Sequence, residues 1–263
     1  MIASQHRWST VAIACSLCVS IAYADGWKYT LEGGAGVVPR YSGSDEYAAV
    51  PIIGLGVTTP SGFFLNTEKG FGWQLDAGEG TSFATYINAS PTRRDHRTTF
   101  QGSDRLRGMG SIKARAMLGF DANFRIGSLQ VTSTLLHAFK DDEKGESQRD
   151  YNALRIGVGS ELGAFAGGSL RGIALADFGD DHYLRTWYGV SATQAARTRY
   201  AVYRPDAGPV DAGLSLSWSA PINARLSTGV SLEALRLLGD AADSPLVRQR
   251  TQVMVGAVMS YTY

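Results

Sequence analysis

Cysteine is nearly absent from this 263-residue chain: the two it has, Cys15 and Cys18, both stand within the first 24 residues. The remainder therefore has no disulfide and no thiol nucleophile, although small exported domains often lean on disulfides. Charge is scarce as well, at 19% of residues, which is low for a soluble domain. Apolar content does not compensate in the way a helical membrane protein requires, because the mean hydropathy is only -0.09. Histidine is limited to four positions, and His96, His137 and His182 are too far apart to have metal-ligand spacing. Once Arg7 is set aside with the leader described below, 24 basic residues face 24 acidic ones, and that neutrality argues against nucleic acid as a partner. No nucleophile elbow occurs; Gly80-Thr81-Ser82-Phe83-Ala84 is the nearest miss. Gly33, Gly34 and Gly36 make no dinucleotide fingerprint, since no helix follows them; they suit a strand that bends or admits a neighbouring side chain. Neither a cofactor nor a metal is implied.

Residues 1–24 read as a targeting segment. His6 and Arg7 are followed by the uncharged stretch Trp8 to Ile21, then by Ala22-Tyr23-Ala24, a small-x-small cleavage site. At about 14 residues the stretch is short for an anchoring span of roughly 20. Lipidation at Cys15, which follows Ala12-Ile13-Ala14, is a further alternative. The reading is export with cleavage, leaving residues 25–263 as one domain.

What the chain does have is glycine, 31 residues of it, and alternation. From Ser111 to Ile126 one face reads Ile112, Ala114, Ala116, Leu118, Phe120, Ala122, Phe124, Ile126. The other holds Lys113, Arg115, Asp121 and Arg125. A period of two over such a length, with charge on one side, is a strand with one wet face. The pattern recurs at Leu154–Leu162, Val210–Trp218, Leu226–Leu232 and Val253–Tyr263. A soluble sandwich and a barrel in lipid both fit alternation, and strand length separates them. Soluble strands run about five or six residues, whereas bilayer strands need about 9–11. Short turns (Pro60-Ser61, Gly127, Ala164 to Gly168, Pro221-Ile222-Asn223) also alternate with long polar segments (39–46, 92–110, 140–150, 179–208, 239–247). Short turns on one side and long loops on the other mark a transmembrane barrel. The fold expected is all-β, a closed antiparallel transmembrane β-barrel of about 12 strands. They begin near residues 27, 48, 62, 71, 80, 111, 128, 151, 169, 209, 224 and 248. Glu68-Lys69-Gly70 is either a turn or a bulge, so 10 strands is the alternative. Closure is required, because an open edge in hydrocarbon leaves backbone groups unpaired.

The inward face suggests a lumen filled by a salt-bridged network of Lys113, Arg115, Asp121, Arg125, Arg155, Glu161, Asp211, Arg225 and Glu233. A wide general porin normally uses more strands, so the lumen is at most a narrow channel. In the long 179–208 segment, Gln194, Arg197, Arg199, Tyr203 and Arg204 are candidates to line a constriction or bind an anionic ligand. The arginines of residues 92–110 (93, 94, 97, 105 and 107) are either a solvated loop or a contact for lipopolysaccharide phosphates. Trp27, Trp187, Tyr188, Trp218, Tyr261 and Tyr263 read as an interfacial girdle, and Tyr261 and Tyr263 also as a C-terminal signal for the barrel-assembly machinery. Asp180-Asp181-His182 is the one constellation that hints at hydrolysis, and a solvated loop is the plainer reading.

Several stretches resemble the MipA/OmpV family. They are Tyr188-Gly189-Val190-Ser191-Ala192-Thr193-Gln194-Ala195-Ala196-Arg197, Ala201-Val202-Tyr203, and Leu237-Leu238-Gly239-Asp240-Ala241-Ala242-Asp243-Ser244-Pro245, together with Gly36 to Asp45 near the N-terminus. The resemblance covers nearly all of residues 25–263. It implies a non-enzymatic barrel in the outer membrane of a Gram-negative cell, in contact with its lipid and lipopolysaccharide. It further implies a scaffold that links a lytic transglycosylase to a peptidoglycan synthase, the alternative being a narrow porin-like channel for small solutes.

Overall fold

In a computed structural model, residues 26–140 and 149–263 are described. The leader assigned to residues 1–24 and the middle of the 140–150 loop lie outside them. Twelve antiparallel strands close into a barrel: β1 Lys28–Pro39, β2 Tyr47–Thr58, β3 Phe63–Asn66, β4 Gly70–Gly78, β5 Thr81–Ala89, β6 Ala116–Ile126, β7 Leu129–Ala138, β8 Tyr151–Phe165, β9 Gly168–Gly179, β10 Gly208–Pro221, β11 Leu226–Leu237 and β12 Thr251–Thr262. Each strand pairs with its sequence neighbours, and β1 closes the ring on β12 from Thr30↔Thr262 to Val37↔Val255. Glu68-Lys69-Gly70 is therefore a turn, and twelve strands replace the alternative of ten. Among the described residues, three short α-helices, α1 Asp181–Tyr188, α2 Ala192–Ala195 and α3 Gly239–Asp243, and a 3-10 turn at Asp104–Leu106 interrupt the long connections.

The alternation decides which way each strand faces. Outward positions stay exposed in the isolated chain, among them Ile53, Leu55, Phe71, Ile87, Leu118, Phe120, Leu214, Val255 and Met259. Inward positions on the same strands are buried, as at Met117, Asp121, Ser231, Glu233, Met254 and Val258. A soluble protein would not leave so much large apolar surface bare; a barrel in lipid requires it. Two glycines mark tight places. A Cβ on Gly34 would sit 2.1 Å from the Ala257 carbonyl, so β1 lies close against β12. A Cβ on Gly119 would strike the Tyr86 ring, which crosses the lumen face there.

The sixth strand begins later than its alternation suggests. β6 starts at Ala116, and Ser111 to Arg115 leave the wall. The partner strand explains the change: β5 ends at Ala89, and Pro91 lacks the N–H that would continue a ladder. Beyond Ala89, Ser90 N–H donates to the Arg115 carbonyl, Arg115 N–H donates to the Ser90 hydroxyl, and an isolated Arg93↔Ile112 bridge follows. Ile112, expected on the outer face, is buried instead.

Candidate functional site: the capped lumen

The connections 40–46, 90–115, 180–207 and 238–250 emerge at one end of the barrel and pack into a cap. One apolar cluster joins Tyr41, Leu106, Met109, Val190, Tyr200 and Leu246; a second joins Leu184, Tyr188, Val210, Leu237, Ala241 and Ala242. These residues come from four different connections and, at Val210 and Leu237, from the cap-side ends of β10 and β11, so the cap is a small core seated on the barrel rim. Polar groups stitch it together. The Tyr41 hydroxyl donates to the Leu246 carbonyl (3.2 Å), Tyr188 and Ser42 share a 2.8 Å hydroxyl bond, and the Ser244 hydroxyl donates to the Tyr188 carbonyl (2.6 Å). Gln252 on β12 bridges two atoms of the 43–44 turn, accepting from Gly43 N–H and donating to the Ser44 carbonyl. Burial pushes the Tyr41 phenol up to about 12, with Tyr200 adding to the effect. Tyr188 is raised further, first by burial. Arg93 lies wholly inside the cap, where its guanidinium donates to the Trp187 carbonyl (2.5 Å); burial lowers it to about 10.

The five loop candidates belong to this cap rather than to a constriction. Gln194 completes the capping box of α2 with Ser191, and its amide donates to the Met109 carbonyl (2.6 Å). The Tyr203 hydroxyl donates to the Asp240 carbonyl (2.8 Å). Arg197, Arg199 and Arg204 are exposed, and none of the five lines the lumen cavity. Their backbone is committed to short-range turns and the Val190↔Tyr203 bridge, which leaves the basic side chains on the outside. The acidic triplet is structural too. Asp180 caps α1 by accepting from Tyr183 N–H and also takes two bonds from Asn152; Asp181 pairs with Arg185; His182 contacts the Asp150 carbonyl. Among the described residues no acidic or histidine cluster is arranged to hold a metal.

Beneath the cap the lumen keeps a cavity of about 310 Å³. Arg155 on β8 donates two hydrogen bonds to Asp177 on β9, Nε to Oδ1 at 2.7 Å and Nη2 to Oδ2 at 2.6 Å. Asp211 lies directly opposite Asp177 in the register, and Glu233 is buried close by. One guanidinium thus stands among three carboxylates. Across the lumen, Asp121 is held by Lys69 at 2.7 Å and by the Tyr86 hydroxyl. Arg115 is buried under the cap, bonded to the Arg149 carbonyl and stacked 4.8 Å from the Tyr151 ring centroid.

The other members of the expected network sit elsewhere. Lys113 lies in the irregular stretch before β6 and is exposed, because that stretch has left the wall. Arg125 and Glu161 reach the open end near the short turns and are exposed. Arg225 precedes β11, in a turn, and stacks on the C-terminal Tyr263 ring at 4.7 Å. The girdle changes as well. Tyr188 is buried in the cap and Trp187 packs against it. Trp27, Trp218, Tyr261 and Tyr263 stay near the short-turn end, where the Trp218 indole donates to the Phe165 carbonyl (2.7 Å). Lys69, placed by its sequence only in a turn or bulge, and Asp177 are the two partners that complete the lumen pairs.

A closed twelve-strand wall, apolar outside and charged inside, defines a transmembrane barrel of the outer-membrane class. The sequence pattern of the family described as "MltA-interacting protein MipA" matches residues 31–263, and the chain belongs to that family. Two relatives are outer-membrane proteins: OmpV of Vibrio cholerae serotype O1 and Omp26La of Vibrio anguillarum. Each is 25% identical over 190 residues, which covers 72% of this chain and 68% of the relative. Among solved structures, the NanC porin aligns over 89% of this chain and 98% of its own, at 9% identity and a TM-score of 0.45.

Proposed function

We propose that this protein is a non-enzymatic, membrane-fixed docking barrel for enzymes that remodel peptidoglycan. The observation that carries the reading is the cap. It is a packed core laid over one mouth of the barrel, a poor design for a general pore and a good one for a rigid platform. The family description, which names interaction with MltA, supports the choice of partner. Docking falls to the opposite rim, where the short turns gather Lys28, Glu79, Arg125, Glu161 and Arg225. No single turn there is large enough for a standard interface of about 800 Å² per side, so the rim acts collectively. Arg225 is positioned there by its stacking on the Tyr263 ring.

The test is co-purification of the detergent-solubilised barrel with a lytic transglycosylase of the MltA type. Capture that weakens severalfold in the double variant Arg125→Glu, Arg225→Glu supports the reading. Undiminished capture by that variant moves the interface away from the rim, and no capture by the native barrel removes the partner class. The narrow-channel alternative draws support from the 310 Å³ cavity, and steady ion conductance by the native protein would favour it.

A further inference from the structure

The wall is incomplete on one side. β2 runs from Tyr47 to Thr58 and pairs with β1 along its whole length, but it pairs with β3 only at Gly56, Val57 and Thr58. β3 is four residues long, and the turn that ends it leaves the remainder of β2 standing above the hairpin. Thr67 covers the first step: its N–H donates to the Leu55 carbonyl (2.9 Å), and its hydroxyl accepts from Leu55 N–H (3.1 Å) and reaches the Ile53 carbonyl (3.5 Å). Beyond Ile53, no hydrogen bond among the described residues engages the outer edge of β2. By the period of two that Leu55 and Val57 set, that edge presents the backbone of Tyr47, Ala49 and Pro51 and the N–H of Ile53. This is roughly 20 Å of strand at the ordinary rise per residue.

A bare strand edge is unstable in hydrocarbon unless something covers it or it borders a passage. The edge is also built against pairing with another strand. Pro51 sits in its middle and supplies no N–H, the device by which edges avoid strand addition. The flanking outward side chains, Ala49, Pro51 and Ile53, are apolar and exposed. Above the notch hangs the basic connection between β5 and β6. Arg40 at the end of β1 donates to the Thr98 carbonyl (3.0 Å), and Gly102 N–H donates back to Arg40, which fixes residues 98–102 over the β1–β2 tip. Arg94 and Arg97 on that connection are exposed, and neither is in an ion pair among the described residues.

We infer that the notch between β2 and the β3–β4 hairpin is a side opening that takes an acyl chain of an anionic lipid from the surrounding leaflet. The chain lies along Ala49, Pro51 and Ile53, and the lipid phosphate meets Arg94 and Arg97. This is independent of enzyme docking at the opposite rim.

The test uses a bimane label on a single introduced cysteine, with Cys15 and Cys18 changed to serine, in bilayers carrying acyl-brominated phosphatidylglycerol. Ile52→Cys places the label on the inner face of β2 beside the notch; Val50→Cys is a second probe if the first variant does not fold. Ser231→Cys, inward on the fully paired β11, is the closed-wall control. The inference predicts quenching at Ile52 or Val50 about threefold stronger than at Ser231, because only there do acyl chains pass the wall. That excess falls by half or more with Arg94→Glu and Arg97→Glu, or when the brominated lipid is zwitterionic. Equal quenching at both walls overturns the opening. Disulfide-linked dimers of Pro51→Cys would overturn it too, by showing that a second copy covers the edge.

Discussion

The barrel wall and the cap above it bury opposite kinds of side chain. In the wall, Leu118, Phe120, Leu214 and Val255 face outward and bare, while Asp121, Asp211 and Glu233 are enclosed. In the cap the order is that of a soluble protein: Tyr41, Leu106, Leu184 and Leu246 are inside, and Asp45, Arg97, Arg107 and Arg204 are outside. One chain therefore folds by two solvent rules, and the boundary between them falls where strands give way to connections. The wall is stabilised by ladder bonds and lumen ion pairs. The cap is stabilised by apolar burial, as any small globular core is. Damage to either should leave the other largely standing.

The largest effect is expected in the wall. Arg155→Ala strands three carboxylates in the lumen and should cost about 3–5 kcal/mol, since breaking a buried pair leaves uncompensated charge. Urea unfolding in liposomes measures it, and Asp211→Asn in the same background should recover part of the loss. Leu184→Ala comes next. It empties a fully buried site in the cap and should cost about 2–5 kcal/mol locally. Proteolysis should then cut the 180–207 connection while the barrel keeps its heat-resistant mobility on gels. If the barrel fails with it, the two cores are not independent.

A smaller, pH-dependent effect separates cap from wall. Because burial holds the Tyr41 phenol near 12 against an ordinary 10, the unfolded phenol ionises first as the medium turns alkaline. The stabilisation is complete below pH 10 and disappears as pH climbs to about 12. Trp187 fluorescence, which reports the cap, should change across that window and change less in Tyr41→Phe. The smallest effect belongs to Asp45, whose carboxyl is held below its usual range chiefly by the hydrogen bond from Arg105. That contribution is present at neutral pH and is lost as acid takes the carboxyl through its lowered value. Asp45→Asn should shift cap stability by no more than about 1 kcal/mol, as exposed pairs do, and high salt should erase the shift.

The same two rules explain what the sequence made legible. Strands of the wall announce themselves where apolar and polar residues alternate cleanly, as from Ala116 to Ile126 or Val253 to Tyr263. Asp177 is not legible from its sequence because β9 turns Ile173 and Leu175 toward the lumen and Ala174 and Ala176 toward lipid, which flattens the contrast. Lys69 was hidden by the doubt over its own turn; once β3 and β4 separate, the turn delivers it to Asp121. The cap was not readable from spacing at all. Its core is assembled from residues as distant as Tyr41 and Leu246, so no local period records it. Gln194 and Tyr203 looked like ligand-binding side chains because polar groups that brace a loop and polar groups that bind a solute are the same residue types.

The central claim is that the cap closes the barrel, and single-channel conductance in a planar bilayer tests it most directly. Native protein should be silent, and deletion of residues 190–205 should give steady ion current through the exposed lumen. Steady current through the native protein would contradict the account and make the barrel a channel.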